Sequence, residues 1–440
     1  MGQGGGVKER LALKPIPRWV IWAGLPAMVA LAAVAVWVLL AFAPDSAQLD
    51  AIRTGGTLGV GLGGAVALWL AVRRQRSTEL DLLQKHETHR LAEQVAADTR
   101  EHQLRTAADA REDALARRVT EQYGKAVDQL GSERAPVRLG GLYALERLGQ
   151  DHADSPLRQM IADVLCAYLR MPSEDTAEEA QVRRTAQKII ANHSRPANER
   201  HWPGLHLDFS GANLDQADFG QCRFDNILFT GTAFTGIANF AGTVFSVRAG
   251  FIGASFHGTA DFENARFPAE ADFRGADFAA TAEFSSARFA DAHFDMATFA
   301  DAHFRDAKFR GRTSFDGSVF AEHAAFQQAR FGGHTSFDHA KFRHDVSLHR
   351  SRFADSTSFA DVSFQRYAGL RSIRFDGPVR FRKVRFGGDF DFGESEFAGA
   401  AELGHALVWL DREGAVLHNC PEGWTLGDPE DGWAPLTRTD

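Results

Sequence analysis

Residues 251–309 read FIGASFHGTADFENARFPAEADFRGADFAATAEFSSARFADAHFDMATFADAHFRDAKF. Phenylalanine returns at 251, 256, 262, 267, 273, 278, 284 and 289 in alternating steps of five and six, then at 294, 299, 304 and 309 in steps of five. Two residues before these centres the side chain is nearly always small, as at Ala254, Ala265, Ala276, Ala287, Ala297 and Ala307, and the positions between are mostly polar or charged. A mean step of about 5.4 matches neither the 3.6 residues of a helical turn nor the two-residue repeat of a strand. It fits a coil whose straight sides are about five residues long, each sending one large and one small side chain inward. Stacked coils place Phe over Phe at roughly the 4.8 Å strand spacing, with backbone groups paired between coils. The result is a solenoid with a water-free axis.

The register extends in both directions. It begins at Phe209, continues through Leu214, Phe219, Phe224, Phe229 and Phe234, and resumes its alternation from Phe315 to Phe397 with Leu348, Leu370 and Leu403 as substitutes. The chain has 35 Phe but only 4 Tyr and 8 Trp. All but two of those Phe, Phe42 and Phe390, occupy the register, and Phe390 takes the small position beside Phe392.

The segments Ala212-Asn213-Leu214, Ala217-Asp218-Phe219 and Ala276-Asp277-Phe278 carry the motif A(D/N)Lxx, and residues 205–403 closely resemble the pentapeptide-repeat family. The resemblance implies a right-handed quadrilateral β-helix with about four repeats per coil. Roughly 37 centres then give about nine coils, a rod on the order of 40 Å long. The six-residue steps depart from the strict family pattern and are read as corner bulges. The competing left-handed hexapeptide helix requires aliphatic centres and sixes throughout, which the runs of five and the Phe centres oppose.

Before the repeats, residues 19–42 form an uncharged apolar run of about 24 residues, enough to cross a bilayer core of roughly 30 Å, and residues 55–72 form a second, shorter one. A loop over 43–54 joins them into an expected transmembrane hairpin within residues 1–76. Lys8, Arg10, Lys14 and Arg18 precede the first run, and Arg73, Arg74 and Arg76 follow the second. The loop between carries Asp45, Asp50 and only Arg53, so both ends are expected in the cytoplasm. Ala41-Phe42-Ala43 resembles a signal cleavage site, but the run is too long for a signal peptide and Pro44 disfavours cutting. Gly55, Gly59 and Gly63 mark one face of the second run, suited to packing against the first run or to self-association.

Residues 77–125 are expected to be a charged stalk helix, with a ragged apolar seam at Leu80, Leu83, Leu91, Val95 and Leu104 that leaves a coiled-coil homodimer open. Residues 126–204 read as a small helical module. Val137, Leu142, Leu145 and Leu148 point inward on one helix, and Leu157, Met160, Ile161, Val164, Leu165 and Tyr168 on the next. A further helix over 180–190 is expected to cap the first coil. Residues 129–151, QLGSERAPVRLGGLYALERLGQD, resemble a segment of membrane-anchored pentapeptide-repeat proteins of actinobacterial type. Residues 404–440, with Trp409, Trp424 and Trp433, are expected to cap the far end.

Little in the sequence suggests catalysis. Three Cys in 440 residues exclude a disulfide framework, and Cys166, Cys222 and Cys420 have no spacing partners. Among 17 His, the five-residue spacing of His339, His344 and His349 sends them to successive sides of a coil, and His293 and His303 face opposite ways. No set shows metal-ligand spacing, so no catalytic, cofactor or metal residues are expected.

A net charge of −8 excludes a generic basic nucleic-acid binder. Charge is divided along the rod, with 13 acidic and 5 basic residues over 208–304 against 13 acidic and 16 basic over 305–403. The expectation is a non-enzymatic, membrane-anchored scaffold for an unidentified protein partner, held in the cytoplasm, with no direct nucleic acid contact. The alternative is a DNA mimic that binds or protects a topoisomerase, as some relatives in the family do, although only half of the rod is acidic.

Overall fold

Phenylalanine organises the carboxy-terminal half into stacked parallel coils, each with four sides. In one coil the sides centre on Phe267, Phe273, Phe278 and Phe284, all at most 1% exposed. The computed structural model describes residues 18–42, 48–152, 155–172, 176–410 and 418–439. Strands two to seven residues long pair in parallel with the coil above and below. The coil repeat varies between 20 and 22 residues, as in the pairings His206↔Asn226 and Ser255↔Asp277, and about nine coils are stacked.

Each column of centres forms a ring stack. Along the column Phe267, Phe289, Phe309, Phe331, Phe353 and Phe375, successive centroids are 4.5 to 5.0 Å apart and the planes within 14° of parallel. Columns on opposite sides meet edge to face across the axis, as between Phe273 and Phe284 at 5.5 Å and 87°. Offset and perpendicular arrangements are the ones that an aromatic quadrupole favours.

The two kinds of step have separate physical causes. Sides ending at a centre such as Phe304 leave through a tight turn in which Ala307 N–H donates to the Phe304 carbonyl at 3.1 Å. The second turn residue, Asp306, has φ 57°, as a type II turn demands. The six-residue steps contain one extra residue. Where a five-residue side stacks on a six-residue side the register slips by one, between Phe278 and Thr281 and between Phe224 and Asn226. These are the corner bulges expected from the sequence. Phe390 is fully buried and pairs with Ala368 in the column of small residues.

Both ends of the solenoid are covered. At the amino-terminal end stand α3 (Ala135–Asp151), α4 (Ser155–Arg170) and α5 (Ala177–Ser194). Thr176 caps α5 by accepting from Glu179 N–H at 3.2 Å. Of the expected inward residues, Leu142, Leu145, Leu148, Leu157, Ile161 and Leu165 are buried, and Val164 and Tyr168 pack partly buried against the core. Val137 is only half-buried outside it and Met160 is 42% exposed, while Ala162, Cys166 and Leu169 are buried in addition. A Cβ on Gly141 would meet the Ala126 carbonyl at 2.7 Å, so α3 approaches the preceding helix as closely as its glycine allows. Arg170 pairs with Asp208 at 2.6 Å, and Arg195 with Asp218 at 2.8 Å. At the far end, strand Trp433–Arg438 pairs antiparallel with Leu407–Trp409 and with Trp424–Leu426. This ends the parallel stack and covers its edge.

Two compact units divide between Glu112 and Asp113. In the first, α1 spans Arg18–Phe42; α2 begins there and runs unbroken from Gln48 to Leu130, its last turns belonging to the second unit. The second apolar run and the stalk are one 83-residue helix, and residues 48–54 of the expected loop are helical, which corrects that part of the sequence expectation. Residues 43–47 lie outside the described residues. The helix has no Pro and is dominated by Ala, Leu, Glu, Arg and Gln, which tolerates its glycines. A Cβ on Gly63 would meet nothing within 4 Å, so the glycine face is not packed there.

Among the described residues no helix is long and apolar enough to cross a membrane. Side chains at several positions of α1 and early α2 lie outside the description, as do residues 1–17 with their basic flank. The transmembrane hairpin therefore has no support in the fold and rests on the sequence.

Candidate functional site

Among the described residues the axis of the solenoid is lined by Phe and small side chains, which directs attention to the surface and the caps. Burial pushes the Cys166 and Cys222 thiols up to about 12 and also raises Cys420. A thiol held protonated in this way is a poor nucleophile.

The face centred on the Phe267 column is different from the other three. The residue before each centre points outward, and cross-coil pairing aligns Arg266, Arg288, Lys308, Arg330, Arg352 and Arg374 in one file. All six are exposed and repeat at roughly 4.8 Å. Like charges directly opposite in a sheet repel. The file is neutralised only at its end, where Arg352 and Arg374 each reach Asp376 at 2.6 Å and Arg374 reaches Glu396 at 2.6 Å. Hydrogen bonds from Arg374 and Arg352 hold the Asp376 carboxyl below the usual carboxylate range. Among the described residues, Arg266, Arg288, Lys308 and Arg330, with Arg310 beside them, have no ion pair. Arg266, Arg288 and Arg310 rim a hollow of about 240 Å³ floored by Phe267, Pro268, Phe289 and Ala290.

The face centred on Phe219, Phe240, Phe262 and Phe284 carries Asp218, Asn239, Asp261 and Glu283 in the equivalent file. Three of its four residues are acidic in these coils, whereas later coils place His303, Ala325 and Ser347 in that file. On the face centred on Phe315, Phe337 and Phe359, Ser314, Ser336 and Ser358 donate to Asp295, Asp316 and Asp338 of the coil before. These hydrogen bonds make a structural ladder, with their carboxylates already engaged.

The histidines considered from spacing stay apart. His339 occupies a left-handed turn at φ 61°, and His349 follows at the next turn side. His293 lies 3.6 Å from Glu270 and 3.7 Å from Asp295, and His303 lies 3.1 Å from Glu283 and 3.2 Å from Asp301. The fold instead gathers His323, His344 and Asp345, whose potential ligand atoms lie within 4.8 Å of one another. Their separation of about one coil length could have been searched only once the repeat was counted in whole coils.

Family models described as pentapeptide repeats match residues 208–246, and residues 229–276, 240–288 and 294–341. The solenoid belongs to the pentapeptide-repeat family. No curated protein and no solved structure matches the chain. The pentapeptide-repeat solenoid here thus has a family, while the surface that distinguishes it must be read from its own residues.

Proposed function

We propose that this pentapeptide-repeat protein is a non-enzymatic, membrane-tethered scaffold whose basic file docks an acidic protein partner in the cytoplasm. The carrying observation is the stack of exposed, unpaired cations from Arg266 to Arg330. A single chain leaves that like-charge stack uncompensated, and a partner's carboxylates offset it. No exposed aromatic accompanies these residues in the file, so the stacking platforms typical of single-stranded nucleic acid sites are missing from it.

Tethering rests on residues 19–42, which carry no charge, within a helix of 25 residues that is about 37 Å long at 1.5 Å per residue. Val29, Leu31, Val34, Trp37 and Phe42 are exposed on it, an apolar surface that calls for covering. Exposure of Leu83, Leu91, Val95 and Leu104 on α2 suits pairing of two such helices.

A crosslinking pull-down from cells, comparing the native chain with Arg288→Glu/Arg330→Glu, tests the docking face. Loss of a specific partner supports the reading, and an unchanged set of partners overturns it. Alkaline extraction that releases the chain from membranes overturns the tether. Labelling of Cys420 in intact cells by a membrane-impermeant thiol reagent overturns the orientation.

The acidic file at Asp218, Asp261 and Glu283 favours a second reading, a DNA mimic directed at a topoisomerase. The basic file, which begins at Arg266 and Arg288 beside Asp261 and Glu283 in the same coils, opposes it. Stoichiometric inhibition of DNA gyrase, abolished by charge reversal at these three residues, would establish the mimic in place of the scaffold.

A further inference from the structure

His323 lies at the bulged corner of one coil, and His344 and Asp345 lie at the same corner of the next. Backbone pairing fixes their positions: Ala302 N–H donates to the His323 carbonyl at 2.9 Å, Ala324 N–H to the Asp345 carbonyl at 3.0 Å, and Val346 N–H to the Tyr367 carbonyl at 2.9 Å. The two imidazole centroids are 4.5 Å apart with planes inclined at 52°.

Asp345 is oriented from outside the cluster. Its Oδ1 accepts from Tyr367 N–H at 3.2 Å, which leaves Oδ2 directed at His344 Nδ1, 3.7 Å away. That separation is too long for a hydrogen bond. His344 Nδ1 is nevertheless shielded from solvent and has no hydrogen-bond partner. A buried imidazole nitrogen without a partner calls for an explanation, and a bound ion is one.

We propose that His323, His344 and Asp345 bind a divalent transition-metal cation of the zinc class. Two imidazoles and one carboxylate form a borderline donor set, which suits Zn²⁺, Co²⁺ or Ni²⁺ and is a poor cage for Ca²⁺ or Mg²⁺, which require more oxygen ligands. Bond lengths of about 2.0–2.2 Å place tetrahedral ligand atoms roughly 3.4 Å apart. Closure from the present 4.8 Å limit requires only side-chain rotation at an exposed corner. Tyr367 N–H then serves as the outer support that orients a ligating carboxylate. Three protein ligands leave a fourth position for water or for a side chain of another molecule. The site is independent of the basic file and of the docking proposed for it.

The test uses the full-length chain in detergent, freed of metal and of any affinity tag. Co²⁺ titration followed by visible absorption should show one equivalent in a tetrahedral environment, displaced by Zn²⁺ and unaffected by a hundredfold excess of Mg²⁺. Asp345→Asn retains the acceptor for Tyr367 N–H and should weaken Co²⁺ binding at least about tenfold. His323→Ala and His344→Ala should do the same, while His349→Ala should match the native chain. Unfolding of each variant without metal checks that its fold is intact. Absence of a stoichiometric Co²⁺ signal in the native chain overturns the proposal, as does native affinity in folded Asp345→Asn or in the double variant His323→Ala/His344→Ala.

Discussion

Phe278 stacks on Phe256 with ring centroids 4.7 Å apart and planes 2° from parallel. It is fully buried, whereas Asp277 beside it is exposed. Phe278→Ala should cost about 3–5 kcal/mol of unfolding free energy, and Phe278→Asp should open the coil because a carboxylate there is buried without a partner. Asp277→Ala should stay within about 0.5 kcal/mol of the native chain. Denaturant unfolding measures all three, and equal effects at the two positions would refute the register.

Gly149 of α3 lies against the indole of Trp202, and a Cβ there would come within 2.6 Å of the ring. The indole is also held by His193, stacked at 4.1 Å and 13°, and by the Arg158 guanidinium 5.8 Å from the ring centroid. Helix propensity alone expects Gly149→Ala to stabilise by about 1 kcal/mol. Overpacking reverses the sign, and a loss of about 1–3 kcal/mol is expected. A rise in thermal midpoint would show that the cap yields at this contact.

The left-handed turn residues make the opposite prediction. Gln328 has φ 60° and is exposed, in a conformation that costs a non-glycine residue about 1–2 kcal/mol. Gln328→Gly should therefore raise the thermal midpoint, part of the gain being returned as unfolded-chain entropy. Gly253→Val, at φ 62°, should lower it. Circular dichroism melting distinguishes the two signs.

The unpaired cations from Arg266 to Arg330 should give the free protein a salt-dependent stability. Screening weakens their mutual repulsion, so the midpoint should rise with salt. Arg288→Glu, placed between Arg266 and Lys308, should raise the low-salt midpoint and flatten the salt dependence. A native midpoint insensitive to salt would mean that the file is already compensated.

Much of the solenoid is legible because its repeat is local. The residues that fill one side, such as Ala276 and Phe278, are two apart, and the corner bulge is visible as a single extra residue between Phe278 and Phe284. Capping is legible for a related reason, since a break in the period at residue 404 and the helical pattern before residue 205 must cover the exposed ends of the stack. The start of α2 at residue 48 was not, because the charges at Asp50 and Arg53 between two apolar runs imitate a loop that ends at residue 54.

The files on the surface were illegible for a different reason. Arg288 and Arg330 are 42 residues apart in sequence and two coils apart in space, and His323 meets His344 only because the coil between them has a particular length. By itself the sequence determined the inward residues, the coil architecture and the absence of a disulfide framework, since these follow from side-chain size, period and composition along the chain. Tertiary structure alone decided which charges and which ligands share a face: stacking brings together residues one coil apart, and each five- or six-residue step sets which residues those are.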